Sequence, residues 1–376
     1  MIWLFKMIGC ARKNHNGFLG AGDFVVNLGW GTTWKCNMHC SFCYSGFARG
    51  IERRELDIQI KKRFLIDNID RIKSINFGTS ENVLADDFFD LLKFIRTLGK
   101  SIRVAITTNG SLINSLKKTE PRRIFSECVD EVDVSLDSAN RHLHDKLRGY
   151  TGAFDLAEAT IDECKKMGKV CTVATTLMKD VATTENIKGL IDLVSSKDCF
   201  LRFNICRPSN KQFDFVISSP ALYSILAFCL QNLHLVQVSD VTLRTWLGMH
   251  VEYSNEEVSV RLLPNGWITL SPFLISRDYY IENITQCPNL KDIGNHVIQS
   301  LNHFHNTIPP DCTECLHVDS CRGGEAERRL LWYNDLDQKD PYCPLQYIEQ
   351  PLKEARSRSF SLIHGSYLPT IIFQTQ

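Results

Sequence analysis

Two hydrophobic periods alternate along this chain. Short runs of apolar and β-branched residues, each closed by Gly, Asn or Ser, recur between stretches in which apolar positions repeat every three or four residues. The first run, Phe24 to Trp30, predicts a buried strand, and Lys73–Phe77, Ser101–Thr107, Glu131–Leu136, Val170–Leu177 and Phe200–Cys206 predict five more. Helices are predicted between them over Glu52–Ile72, Val83–Leu98 with Gly99 as its stop, Phe154–Met167 ended by Gly168, and Asn186–Val194. Strand and helix alternating in this way imply right-handed crossovers and a parallel α/β sheet, whose ligands bind at the C-terminal ends of the strands. Six such strands make a partial (β/α)6 barrel, open on one side. Past residue 210 the pattern changes. A helix over Pro220–Leu233 leads to a strand over Val258–Leu263, and Pro264-Asn265-Gly266 forms a hairpin turn into Trp267–Leu270. The expected organisation is an extension over 1–23, the barrel over 24–210, a bridging region over 211–260, a small cysteine-rich domain over 261–350 and a tail over 351–376.

Charge narrows the partners. With 43 basic and 43 acidic residues in 376, the net charge is zero, which argues against a general nucleic-acid groove. Fifteen cysteines are an odd number for a disulfide framework, and their grouping at short spacings points to metal sites in a reducing cytoplasm. The segment Met1 to Ala11 is broken by Lys6 and has no signal-peptide cleavage pattern. No apolar run approaches the roughly 20 residues a bilayer requires, so no membrane partner is expected.

The loop after the first strand carries the chemistry. Cys36, Cys40 and Cys43 are spaced Cys-x-x-x-Cys-x-x-Cys, and three thiolates on three irons of a [4Fe-4S] cluster leave the fourth iron without a protein ligand. A structural zinc site normally closes with four ligands, and His39 lies between two of the thiols rather than at the usual finger distance. This spacing resembles the signature of radical S-adenosylmethionine (radical SAM) enzymes. The resemblance implies that the open iron holds SAM through its amino and carboxylate groups, and that Phe42, just before the third cysteine, lies against the adenine. Gly78-Thr79-Ser80-Glu81-Asn82 resembles the family's Gly-Gly-Glu-Pro segment, which holds the SAM amino group, with Thr79 and Ser80 in place of the glycines and Asn82 in place of proline. Ser135 and Arg148 resemble the family's contacts to the ribose and carboxylate of SAM, and a guanidinium fork suits a carboxylate. Read alone, Thr108-Asn109-Gly110 is a turn, Ser135 and Asp137 are loop caps, and Arg148 is a surface ion pair.

Near the C-terminus, Cys312, Cys315, Cys321 and Cys343 form a second set. Four sulfurs suit tetrahedral zinc or a fully ligated cluster, and spacing does not separate these. The arrangement resembles the SPASM extension of radical SAM peptide-modifying enzymes, which implies that these four bind an outer auxiliary [4Fe-4S] cluster. Two positions depart from that pattern: a hairpin cysteine is replaced by Ser271 and another cysteine by Glu325. One auxiliary cluster is therefore expected, not two. Cys287 is read as a stray thiol or an unusual ligand, Cys206 as a weak candidate hydrogen-atom donor facing the barrel mouth, and Cys10, Cys128, Cys164, Cys171, Cys199 and Cys229 as thiols without a duty.

The resemblance implies reductive cleavage of SAM to a 5′-deoxyadenosyl radical and hydrogen abstraction from a ribosomally made precursor peptide, leading to crosslinking, epimerisation or backbone excision. It also implies an electron donor such as a flavodoxin or ferredoxin. The roughly 23 residues before the first strand are too few for a fused peptide-recognition domain, so a separate leader-peptide-binding protein is expected. Sulfatase maturation is the alternative, disfavoured because Pro272 stands where those enzymes place an acid. A small-molecule radical SAM dehydrogenase or mutase is another. A zinc-bound, non-catalytic binding module is the reading from a different class.

Overall fold

The structure, a computed structural model, describes residues 24–46, 54–99, 102–208, 213–249, 257–348 and 361–375. Six strands, β1 (Val25–Trp30), β2 (Ile72–Phe77), β3 (Arg103–Thr108), β4 (Glu131–Ser135), β5 (Val170–Leu177) and β6 (Phe200–Ile205), pair in sequence order and all in parallel. This is the partial (β/α)6 barrel. Valine, isoleucine and phenylalanine at alternating positions bury both faces, as a parallel sheet covered by helices requires. The connecting helices press one apolar stripe onto it, for example Phe88, Leu91, Leu92 and Ile95 of the helix Phe88–Thr97.

The sheet extends beyond six strands. Among the described residues it has eleven, in the order β10-β9-β8-β1-β2-β3-β4-β5-β6-β11-β7, with β7 (His234–Val238), β8 (Glu257–Leu262), β9 (Trp267–Thr269), β10 (Glu282–Asn283) and β11 (Ile371–Gln374). β8 lies parallel to β1, so the hairpin that was expected to open a second unit continues the barrel's own sheet. The segment read as a tail supplies β11, an antiparallel strand wedged between β6 and β7, whose Ile371, Ile372 and Phe373 are fully buried.

Element ends follow local chemistry. The helix expected from Glu52 starts at Ile58, because the Asp57 carboxylate accepts from the N–H groups of Gln59 and Ile60 and caps it there; residues 47–53 lie outside the described residues. The helix expected over Val83–Leu98 is broken into a single turn at Asn82–Leu84 and a helix from Phe88. His144 to Arg148, a stretch not predicted as helix, are the C-terminal part of a helix, Arg141–Arg148, capped by the Asn140 side chain and ended by Gly149 in the left-handed conformation. Its charged sequence hid it, since only His144, Leu147 and Arg148 face inward. No helix among the described residues is long and apolar enough to cross a membrane.

Candidate active site

The cysteine loop leaves β1 at its C-terminal end, where the barrel places ligands, and is held from three sides. The Glu55 carboxylate accepts from the Thr33 hydroxyl at 2.7 Å and the Trp34 N–H at 2.6 Å, fixing the way into the loop. The end of the helix Arg141–Arg148 receives its middle: His39 N–H donates to the Arg148 carbonyl at 3.1 Å and Ser41 N–H to that of Leu147 at 3.2 Å. Gly149 is required at this contact, because a Cβ there would stand 2.5 Å from the His39 carbonyl oxygen.

Two polar side chains reach the thiols. The Asn109 amide donates to Asn37 Oδ1 at 3.0 Å and lies 3.6 Å from Cys36 Sγ, while the Arg148 guanidinium lies 3.9 Å from Cys40 Sγ. Burial raises the Cys40 pKa, Arg148 opposes that rise, and the neighbouring Cys43 and Cys36 add to it, which puts the three thiols in one electrostatic neighbourhood. Arg148 is itself held by Asp137 at 2.7 Å, on a carboxylate that also accepts from the Thr176 N–H. Among the described residues no three of His, Cys, Asp and Glu converge tightly enough to grip a single metal ion. Three soft thiols with cationic and amide donors beside them suit a bulkier iron–sulfur cluster, which carries negative charge and spreads its ligands.

Next to the loop opens a cavity with about 1000 Å³ of space, part of it open to solvent. Cys40, Phe42, Cys43, Tyr44, Gly78, Thr79, Ser135, Arg148 and Cys206 all line it. Phe42 therefore faces the cavity, with the Arg148 guanidinium 5.4 Å above its ring. Ser135 stands at the end of β4 as expected. Cys206 is 4% exposed and pushed up to about 12 by burial, so its thiol keeps its proton at neutral pH.

Ser80 and Glu81 do not line the cavity; Gly78 and Thr79 do. Thr79 and Ser80 nevertheless adopt φ of 72° and 56°, the left-handed backbone that glycine takes without strain, so the turn is kept although its glycines are not. Asn82 braces it: its side-chain oxygen accepts from both the N–H and the hydroxyl of Thr32 at 2.7 Å. The Glu81 carboxylate points away, accepting from the Thr108 hydroxyl and the Asn109 N–H at 2.7 Å each. Its burial raises its pKa to about 7. Glu81 thus positions Asn109, the residue whose amide reaches Cys36, and Thr108-Asn109-Gly110 is more than a turn.

The four distal cysteines share one cavity. Cys312, Cys315, Cys321 and Cys343 line one smaller cavity, about 490 Å³, with His317 and Lys339. Cys321 is pushed up to about 12 by burial, with Asp340 and the other thiols adding. The Cys343 loop is anchored through Asp340, which accepts from the Glu325 N–H and pairs with fully buried Arg328, itself paired with Asp240. The two positions that depart from the cysteine pattern are occupied otherwise. The Ser271 hydroxyl donates to the Glu327 carboxylate, which pairs with Arg207, and the Glu325 carboxylate accepts from the Val241 N–H at 2.7 Å. Cys287 lines neither cavity and hydrogen-bonds through its N–H to the Asn283 carbonyl. Cys128, Cys164, Cys171, Cys199 and Cys229 are core residues, and Cys10 lies outside the described residues.

Sequence reasoning missed Arg202, Arg207 and Arg261, all of which line the main cavity. A charge standing inside an apolar strand, as in Phe-Leu-Arg-Phe and Val-Ser-Val-Arg-Leu-Leu, was the available signal for two of them.

Residues 32–194 match the model of the radical SAM superfamily. That segment is a radical SAM domain, and the chain is a radical SAM enzyme, with a [4Fe-4S] cluster and SAM as cofactors. It is similar to the mycofactocin maturase MftC of Mycobacterium ulcerans, at 26% identity over 89% of this chain and 92% of that protein, and to MftC of Mycolicibacterium smegmatis, at 24% over 85% and 83%. Fe-coproporphyrin III synthase of Methanosarcina barkeri is 31% identical over 45% of this chain and 40% of its own. In fold the chain matches anSMEcpe with bound AdoMet (TM-score 0.65, 16% identity, 86% of this chain and 95% of that one). It also matches Streptococcus suis SuiB bound to its precursor peptide SuiA (TM-score 0.66, 17% identity, 85% and 76%).

Proposed function

We propose that this enzyme matures a ribosomally made precursor peptide by abstracting a hydrogen atom from it. The observation that carries this reading is the extent of the similarity to the mycofactocin maturases, which covers nearly the whole chain and not the radical SAM segment alone. The fold shared with SuiB, solved with a precursor peptide bound, supports it.

Cys36, Cys40 and Cys43 would hold the first cluster, and with SAM bound there it supplies a 5′-deoxyadenosyl radical. The chain's residues position and shield. Arg148, fixed by Asp137, offers its fork to the SAM carboxylate, Phe42 a face to the adenine, and Ser135 a hydroxyl to the ribose. Glu81 acts through Asn109 on the Cys36 side, and Ser80 only shapes the turn. Cys206, protonated and in the same cavity, is the candidate for returning a hydrogen atom to the product side. Cys312, Cys315, Cys321 and Cys343 would bind one auxiliary cluster, since Ser271 and Glu325 are engaged in hydrogen bonds where further thiols would be needed. An electron donor such as a flavodoxin or ferredoxin, a separate leader-binding protein and a cytoplasmic location complete the reading. No carboxylate among the described residues lines the cavity, which disfavours sulfatase-type chemistry needing an acidic base there.

Anaerobic co-expression with a short precursor peptide, sought in the neighbouring genes, tests the reading. A mass change in the peptide that requires Cys40 is expected. An unaltered peptide, with turnover of a free amino acid instead, would contradict it.

A further inference from the structure

Four arginines, Arg148, Arg202, Arg207 and Arg261, line the main cavity, and no Asp or Glu among the described residues does. Three are neutralised from behind, Arg148 by Asp137, Arg202 by Asp133 and Arg207 by Glu327. Arg261 is not. It is 5% exposed, its Nη1 is enclosed without a hydrogen-bond partner, and its guanidinium rests on the Tyr367 ring at 4.9 Å. The nearby carboxylate of Glu327 is already engaged by Arg207 and Ser271. Burial lowers the Arg261 pKa to about 10, since no ion pair offsets the lost hydration. The chain makes room for this charge: Arg261 on β8 pairs in register with Gly29 on β1, where a Cβ would overlap the guanidinium. Arg207 Nη2, on the same cavity, is also buried without a partner.

A desolvated, unpaired guanidinium is costly and persists where an anion completes it. The SAM carboxylate already has Arg148, beside Cys40. Arg261 stands on the wall next to β1, level with Gly29 rather than with the cysteine loop.

We propose that Arg261, seconded by Arg207, receives a carboxylate of the substrate. The proposal rests on the peptide reading only in taking that carboxylate to be a peptide's, from its chain end or from an Asp or Glu side chain.

Calorimetry on the anaerobic holoenzyme saturated with SAM tests it with two probe pairs. N-benzoylglycine against its amide represents a chain end; N-acetylglutamic acid α-amide against N-acetylglutamine α-amide represents an acidic side chain. One acid is expected to bind the wild type roughly tenfold more tightly than its amide, and the pair that discriminates identifies the source. Arg261→Met should abolish that preference while leaving SAM affinity unchanged, and should melt no lower than the wild type, because an unpaired buried charge has been removed. Arg261→Lys, which keeps the charge without the fork, should retain part of the preference. The proposal is overturned if neither acid is preferred, if the preference survives in Arg261→Met, or if that variant loses SAM affinity, which would assign Arg261 to SAM. Failure here leaves the peptide reading standing, because that reading depends on the mass change of the co-expressed peptide.

Discussion

The two cysteine sets use one residue type in opposite surroundings. Cys36, Cys40 and Cys43 sit on a loop at the barrel mouth beside a cavity of about 1000 Å³, with Asn109 and Arg148 reaching two of the sulfurs. Cys312, Cys315, Cys321 and Cys343 surround about half that space, walled by Asp340, Pro344 and Ile348. One arrangement offers three thiols beside the larger space; the other offers four around the smaller one. On the proposed reading, ligand number and the volume beside the ligands, not the thiols themselves, would separate a site for chemistry from a site for holding or passing an electron.

The largest effect that would break this contrast is expected at the first set. Cys40→Ala should bring 5′-deoxyadenosine formation below detection, and measurable product after dithionite reduction would remove the loop from the chemistry. Cys315→Ala should lower bound iron from about eight to about four atoms per chain and leave SAM cleavage within a few-fold of the wild type, read by iron analysis and chromatography. Equal loss of SAM cleavage in both variants would erase the distinction between the sets.

Smaller effects sharpen the account of how the first loop is braced. Glu81 has an ordinary pKa of 4.5, raised to about 7 by burial. A carboxyl raised on folding stabilises the fold in its neutral form, fully below about 4.5, and this contribution is lost as pH rises through about 7. Between pH 6 and 8 it should cost about 1 kcal/mol of unfolding free energy in denaturant titrations. Glu81→Gln should lack that slope, and an unchanged slope would place the titration elsewhere. At the adjoining turn, Ser80→Gly removes left-handed strain and a buried hydroxyl without a partner, and should stabilise the protein by about 1 kcal/mol. A destabilised glycine variant would show that the Ser80 hydroxyl has a role in the turn.

Much of the barrel was legible because its strands are apolar runs of the right length, and the limits of β2, β5 and β6 fell within a residue of those expected. The cysteine loop was legible because soft-ligand spacing is a local property. What escaped depends on distant partners. Arg141–Arg148 has only two apolar residues, Leu143 and Leu147, and its role emerges only where its end receives the His39 and Ser41 N–H groups. The terminal strand Ile371–Gln374 is four residues long, and its place between β6 and β7 is a long-range pairing that no local pattern encodes. Glu81 was singled out from its segment, but sequence did not show that its carboxylate accepts from the Thr108 hydroxyl and the Asn109 N–H, partners that lie at the end of a different strand.

Electron paramagnetic resonance of the reduced protein, with and without SAM, tests the central contrast most directly, using Cys312→Ala/Cys315→Ala to isolate the first cluster and Cys36→Ala/Cys40→Ala to isolate the second. Added SAM should change the spectrum of the first variant and leave that of the second unaltered. A response to SAM in the variant that lacks the first set, or none in the variant that keeps it, would contradict the account.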